Sequence, residues 1–276
     1  MKFTVSSSEL LNGLMSVSKV IVPKPTNSIL ENFLFVLSGN TLTVTASDGE
    51  TTLKTSIEIA QVNQEGSTAV PAKLLTDSLK EFPDQPLSFS VAEGSSVMDI
   101  VWASGASVIP CFDAADFPAL PEIGEISEFV TIPSATLLDG INSTIYATAE
   151  EELRPVMNGI FFDIDPDYVT FVASDAHKLV CYSFTGTMVA QKSSFILHKK
   201  PAAILKSVLA KYDEDITIKY DNKNAYFHFG SNFLVCRLID GNYPAYKSVI
   251  PKNNSNKMVI GRADLLNVVK RIAVCS

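Results

Sequence analysis

The stretch Val130-Thr131-Ile132, followed by Ala135-Thr136-Leu137-Leu138-Asp139-Gly140-Ile141, repeats an earlier one. Phe3-Thr4-Val5, followed by Ser8-Glu9-Leu10-Leu11-Asn12-Gly13-Leu14, has the same short opening segment and paired leucines at the same spacing. Met258-Val259-Ile260, then Ala263-Asp264-Leu265-Leu266-Asn267-Val268-Val269, carries it a third time. The leucine pairs begin at 10, 137 and 265, so the steps are 127 and 128. Ala46-Ser47-Asp48 returns as Ala173-Ser174-Asp175, and Lys73 returns as Lys200, both 127 later. Asp113 with Phe117-Pro118 returns as Asp240 with Tyr243-Pro244. Ordered matches at one offset imply tandem duplicated units, not chance similarity of apolar patterns.

Each unit opens with a short strand and a one-sided helix. Apolar positions fall at Leu10, Leu11, Leu14 and Met15, and again at Leu137, Leu138, Ile141 and Ile145. Ser6 and Glu9 have the spacing of a capping box. Alternating segments such as Leu42-Thr43-Val44-Thr45-Ala46 and Val169-Thr170-Phe171-Val172 read as strands. A second helix starts near Lys73 and near Lys200, with Pro201 suited to a first turn. Its expected buried stripe is Leu74, Leu75 and Leu79 in one copy and Ile204, Leu205, Val208 and Leu209 in the other. Segments 118–128 and 251–257 carry Pro, Gly, Asn and acidic residues and read as linkers. The expected fold class is α+β: tandem units, each with two helices packed on antiparallel sheets. The expected boundaries are 1–125, 126–252 and 253–276, the last being the start of an incomplete third unit.

Composition narrows the function classes. The chain has 276 residues, 46% hydrophobic and 19% charged, which is a soluble globular balance with room for about two domains. No apolar run approaches the roughly 20 residues of a membrane span. Met1-Lys2-Phe3-Thr4-Val5 is a strand pattern without a signal peptide's apolar stretch, so a cytoplasmic location is expected. Cys111, Cys181, Cys236 and Cys275 are far apart, without a Cys-x-x-Cys pair, and read as free buried thiols. His177, His198 and His228 are scattered as well. Neither a metal nor a cofactor is expected. The net charge of −8 argues by itself against nucleic acid, because duplex binding sets cations against phosphates.

Several segments resemble the family of bacterial DNA polymerase III beta subunits, the replicative sliding clamps. They are Met1-Lys2-Phe3-Thr4-Val5, Val70-Pro71-Ala72-Lys73, Asn158-Gly159, and Ser174-Asp175-Ala176-His177-Lys178-Leu179. Asp240-Gly241-Asn242-Tyr243-Pro244-Ala245-Tyr246, ending at Pro251-Lys252-Asn253, is the most specific. The resemblance runs in register over the whole chain. It implies the DNA clamp fold and a non-catalytic processivity factor. It also implies a head-to-tail homodimer of six domains, with twelve helices around a central hole that encircles duplex DNA. The implied partners are double-stranded DNA without sequence preference, the polymerase III catalytic subunit and the clamp loader, with no membrane. With the third unit stopping at Ser276, the chain by itself is expected not to close a ring.

The charge pattern is consistent with such a hole. Segments 8–20, 71–82, 134–146, 199–212 and 258–276 carry 0, 0, −1, +4 and +2, a total of +5, so the remainder carries −13. Cations on the helices would attract a phosphate backbone without reading bases. Lysines also sit commonly on exposed helix faces, which is the plain alternative. The resemblance implies Lys24, Lys73, Lys199 and Lys200 as DNA-binding residues. Helix position adds Lys80, Lys206 and Lys211 more weakly. Glu150-Glu151-Glu152, Pro155 and Val156 depart from relatives with neutral or aromatic residues there, which puts DNA contacts from that loop in doubt.

The resemblance also implies a groove for partner peptides at Met157, Ser174, His177, Leu179, Pro244 and Val249. Apolar walls with a few polar groups suit peptide capture. Simple core packing explains Met157, Leu179 and Val249 as well. Ser248 stands where some relatives have arginine. A catalytic reading of Ser174-Asp175-Ala176-His177 is weak, because neighbours on an extended end point apart. The first copy, Ala46-Ser47-Asp48-Gly49-Glu50, lacks the histidine, and a repeated Ser-Asp fits turn chemistry better. A second alternative is a duplicated protein-binding scaffold with no role on DNA.

Overall fold

A computed structural model describes residues 1–119, 128–151, 153–186, 189 and 191–275. The 118–128 linker therefore lies mostly outside the described residues, as does Glu152. The chain divides into two compact units, Met1–Asn242 and Tyr243–Ser276.

In the larger unit the duplication is visible element by element. The first repeat runs β1 (Lys2–Ser6), α1 (Ser7–Val17), β2 (Asn32–Ser38), β3 (Thr41–Ser47), β4 (Thr51–Glu58) and β5 (Gln61–Gln64). It continues β6 (Gly66–Pro71), α2 (Ala72–Lys80), β7 (Pro86–Ser90), β8 (Val97–Trp102) and β9 (Gly105–Pro110). The second runs β10 (Glu128–Pro133), α3 (Ser134–Thr144), β11 (Gly159–Asp165), β12 (Tyr168–Ser174) and β13 (Leu179–Thr185). It continues β14 (Ser193–His198), α4 (Lys199–Leu209), β15 (Asp215–Tyr220), β16 (Asn224–Phe229) and β17 (Asn232–Arg237). The starts of α1, β2, β3, β6, α2, β8 and β9 all recur 127 residues later.

The strands form three sheets, ordered β5-β1-β7-β8-β9, β10-β15-β16-β17-β4-β3-β2-β6 and β13-β12-β11-β14. All of the pairings are antiparallel. The eight-stranded sheet crosses the repeat boundary. β17 pairs with β4 from Asn232↔Thr55 to Cys236↔Thr51, so one repeat's second sheet continues into the other's first. α1 packs beside α2 and against β4, while α3 packs beside α4 and against β12 and β13.

The expected helix faces are broadly those observed. Leu10 and Leu14 are fully buried, and so are Leu137 and Ile141. Met15 is exposed, and Leu74 is 44% exposed while Leu75 and Leu79 are buried. Leu74 is thus a correction to the expected stripe: a helix this short buries positions one turn apart, and adjacent residues lie about 100° around the axis. The core is aromatic in its centre. Phe162 stacks on Phe195, with centroids 4.4 Å apart, and meets Phe171 edge-on at 4.7 Å. Burying each such ring contributes about 1.5–3 kcal/mol of transfer free energy. Ser6 caps α1 by accepting the Glu9 N–H at 3.4 Å, and both Ser6 and Ser8 donate to Asp84, at 2.5 and 2.7 Å.

Two further expectations need correction. Cys111 and Cys236 are buried, but Cys181 and Cys275 are exposed. Cys181 alternates outward on the edge strand β13. In the smaller unit, Met258-Val259-Ile260 forms no strand. The equivalent strands β1 and β10 exist by pairing with β7 and β15, and none of the described residues from 243 to 275 supplies such a partner. That unit has one α-helix, α5 (Arg262–Ala273), with Asp264 in its first turn and Lys270 and Arg271 in its last. These charges complement the helix dipole.

Candidate functional site

The candidate lysines sit at helix starts and on the loop beside them. Lys73 is the second residue of α2 and its side chain is 92% exposed. Its ammonium reaches Asp77 at 2.8 Å, one helical turn on, and Lys80 reaches the same carboxylate at 3.0 Å. These hydrogen bonds hold the Asp77 carboxyl below its ordinary pKa and raise that of Lys73. An exposed pair of this kind is weak in water and exchanges readily.

Lys24 stands between Pro23 and Pro25 with φ +54°. A left-handed backbone is uncommon for a non-glycine residue and is strained. The Lys24 N–H donates to Glu31 Oε1 at 3.2 Å, which helps hold the loop. Lys24 and Lys73 line one groove of about 1000 Å³, with Ile21, Val22, Ile29 and Phe112 among its apolar walls. These two candidates are therefore brought together.

Lys199 and Lys200 open α4, and the imidazole Nδ1 of His198 caps it by accepting the Lys200 N–H at 3.2 Å. Lys199 is paired with the exposed Glu150, whose pKa it lowers by hydrogen bonding first and charge second. Lys200 is paired with Asp48, whose side chain is only 5% exposed. Among the four candidates, Lys200 alone has a nearly buried counter-ion. Lys206 also lies on α4, and Lys211 follows it, both exposed.

The sequence-derived peptide residues fall in both units. Met157 precedes β11, and Ser174 and Leu179 face each other across β12 and β13. Because Phe161 pairs with Val172, Met157, Ser174, His177 and Leu179 share one end of the four-stranded sheet. Met157 is buried, Ser174 and Leu179 are half-buried, and His177 is exposed. Pro244 and Val249 lie in the smaller unit, both exposed.

The Ser174-Asp175-Ala176-His177 segment is a turn. Ser174 Oγ donates to the Lys178 carbonyl at 2.8 Å and accepts the Ala176 N–H at 3.1 Å. Asp175 Oδ1 accepts the N–H groups of His177 and Lys178 at 3.0 and 2.8 Å, and Oδ2 takes the Lys178 ammonium. These contacts, led by Lys178, hold its carboxyl far below the usual range. A serine already donating to a carbonyl, and beside an acceptor carboxylate, is no activated nucleophile. The first repeat builds the same turn. Ser47 accepts the Gly49 N–H at 3.1 Å, and Asp48 Oδ1 accepts those of Glu50 and Thr51 at 2.9 and 2.6 Å. Among the described residues, no three His, Cys, Asp or Glu side chains cluster as a metal site.

What sequence reasoning missed here is the carboxylate side of Lys73, Lys199 and Lys200. Asp77 was findable as an i,i+4 partner of Lys73. Asp48 and Glu150 lie 152 and 49 residues from their lysines, and local spacing carries no signal for them.

Comparison with known proteins agrees with this geometry. Residues 1–121 match the N-terminal domain of the DNA polymerase III beta subunit, and residues 131–245 match its central domain. The chain is 28% identical to the beta sliding clamp of Synechococcus elongatus, over 99% of this chain and 74% of that protein. It is 29% identical to the beta sliding clamp of Escherichia coli strain K12, over 100% of this chain and 75% of that one. Among solved structures, a DNA polymerase sliding clamp from Caulobacter crescentus superposes with a TM-score of 0.92 at 25% identity, over 100% of this chain and 75% of that chain. One from Bacillus subtilis gives 0.94 at 22% identity, over 100% and 74%, which speaks for the fold alone. On its repeat, its shared sheet and these matches, the chain belongs to the family of DNA polymerase III beta subunits, the sliding clamps.

Proposed function

We propose that this sliding clamp works topologically, as a non-catalytic cytoplasmic ring that encloses duplex DNA and tethers the replicative polymerase. The repeats 1–125 and 126–252 and the unit beginning at 253 are its domains, and a head-to-tail homodimer completes the ring. Retention then comes from closure, so each contact with DNA can be weak. Lys24, Lys73 and Lys199 are the cations that meet the phosphates. The observation that carries this reading is positional: α2 and α4 begin 127 residues apart, and each carries lysine within its first two positions, Lys73 in α2 and Lys199 with Lys200 in α4. Mobile lysine–phosphate contacts suit sliding, since they carry no base information. No helix among the described residues is long and apolar enough to cross a membrane.

Met157, Ser174, His177 and Leu179 take short apolar peptides from the polymerase catalytic subunit and the clamp loader. The family resemblance assigns Pro244 and Val249 to the same partners. A buried thioether beside half-buried apolar and hydroxyl groups gives the adaptable lining such peptides need.

Retention on DNA tests the proposal. The complete protein containing this chain, loaded by its cognate loader, stays on nicked circular duplex and runs off linear duplex. Equal behaviour on both would return the protein-scaffold reading.

A further inference from the structure

We infer that Lys200 and Asp48 form a clasp that fixes the angle between the two repeats, which makes Lys200 a positioning residue of the junction and not a phosphate contact. The clasp stands on contacts within this chain. Its second half, the absence of a phosphate contact, rests on the DNA reading above.

The repeats are joined on the sheet side by the β17–β4 ladder. Two backbone bonds extend this seam: Arg237 N–H to the Glu50 carbonyl at 2.9 Å and Ser56 N–H to the Ser231 carbonyl at 3.1 Å. A single seam of antiparallel strands still twists and bends about the strand axis. Lys200 adds a side-chain attachment at the end of this ladder, where Asp48 accepts the N–H of Thr51, the last paired residue of β4. It opens α4 in the second repeat, and its ammonium reaches the turn between β3 and β4 in the first. A tie from the helix layer of the second repeat to the end of the ladder resists a twist that backbone pairing by itself permits.

The turn prepares Asp48 for this. Its Oδ1 is occupied by the Glu50 and Thr51 N–H groups, and its Oδ2 takes Lys200. In the second repeat the matching carboxylate, Asp175, takes its ammonium locally from Lys178. The first repeat has Thr51 at that position, so no local cation is available and the charge comes from across the junction.

Relative magnitudes decide which partner keeps Lys200. To reach a phosphate, it must leave a nearly buried carboxylate without a counter-ion. The Lys200 side chain is itself 40% exposed, so the cost is below that of a fully buried pair, yet leaving the shielded Asp48 carboxylate alone costs more than an exposed contact returns. Lys73, at the equivalent helix start, has only an exposed partner on its own helix and is released cheaply. Two lysines at one repeat position therefore have different tasks.

The test uses Asp48→Asn, Lys200→Met, the double variant and Lys73→Met in the complete protein. Asp48→Asn keeps the side-chain shape, so the clasp can be broken without creating a void. The clasp predicts that both single variants lower the urea midpoint and that the double variant is no worse than either. It also predicts that the distance distribution between spin labels placed one in each repeat broadens. Lys200→Met leaves the salt slope of DNA affinity unchanged, whereas Lys73→Met reduces it by about one unit. An unbroadened distribution with additive single variants, or a slope loss in Lys200→Met equal to that in Lys73→Met, would overturn the inference. If Lys73→Met also leaves the slope unchanged, the DNA reading fails, and the distance distribution still decides the clasp.

Discussion

Gly49 and Ala176 occupy the same place in two copies of one turn, 127 residues apart, and both have positive φ, +94° and +72°. The first repeat meets this backbone with glycine and the second with a residue that carries a methyl group. A Cβ built on Gly49 would meet nothing closer than Leu30 Cδ1 at 4.0 Å, so conformation and not crowding sets the cost there. Ala176→Gly is expected to be neutral to stabilising by up to about 1 kcal/mol, and Gly49→Ala destabilising by about 1 kcal/mol. Urea unfolding of the two variants checks the opposite signs.

A second repeat-related pair of glycines predicts a difference in size. A Cβ on Gly140 would lie 2.7–2.8 Å from the ring of Phe171, which is itself wedged against Phe162. A Cβ on Gly13 would lie 2.5 Å from Ile57 Cδ1, the tip of a flexible side chain. Gly140→Ala is expected to cost about 1–3 kcal/mol as overpacking, and Gly13→Ala distinctly less. Equal costs in thermal unfolding would refute the argument.

Thiol reactivity separates the cysteines. Cys181 and Cys275 are exposed, whereas burial pushes the Cys236 thiol well above its ordinary pKa and Cys111 is buried too. An alkylating reagent added to the native protein at pH 8 should label Cys181 and Cys275 within minutes. Cys111 and Cys236 should label only after denaturation. Peptide mass mapping reads the order.

Stability should fall as the solution is acidified below neutrality. Burial, with Lys219 adding to it, lowers the His228 pKa from 6.5, and burial, with Lys200 adding to it, lowers that of His198. The unfolded chain takes up these protons first, so the native state loses stability as pH falls from about 6.5 through the folded values. Above 6.5 the contribution is fully present. His228 also lies against Phe233, with ring centroids 4.5 Å apart. His228→Gln should flatten the pH dependence of the urea midpoint in this window, with NMR titration of the imidazole placing its pKa below 6.5.

DNA affinity should respond uniformly to the groove lysines. Lys24→Met and Lys73→Met are each expected to weaken binding by a similar factor on unrelated duplex sequences and to reduce the salt slope by about one. A sequence-dependent loss would point to base contacts and against sliding.

The architecture was legible because duplication prints each element twice. Leu10 with Leu14 and Leu137 with Ile141 mark the same buried helix face, and their common offset sets the register of everything between. The turn at Ser174 was readable for the same reason, since its copy at Ser47 lacks a histidine. The joint between repeats was not readable. The partner of Asn232 is Thr55, and backbone pairing over that span leaves no mark in local periodicity. Lys200 was legible as a helix-start cation, but its counter-ion depends on how two separately folded layers meet. Met258-Val259-Ile260 holds the place of an opening strand in the repeat, yet that place supplies no neighbour, and a strand needs the neighbour.

The ladder between β4 and β17 also determines what would happen to either repeat alone. Each half, produced separately, would expose one open strand edge, that of the eight-residue β4, still paired with β3, in one and that of the six-residue β17, still paired with β16, in the other. An open row of N–H and C=O groups is a template for pairing with whatever chain arrives. The halves would therefore be poor monomers, prone to edge-to-edge aggregation, yet suited to recombine when mixed. The duplication thus made each copy depend on the next as a chaperone of its edge.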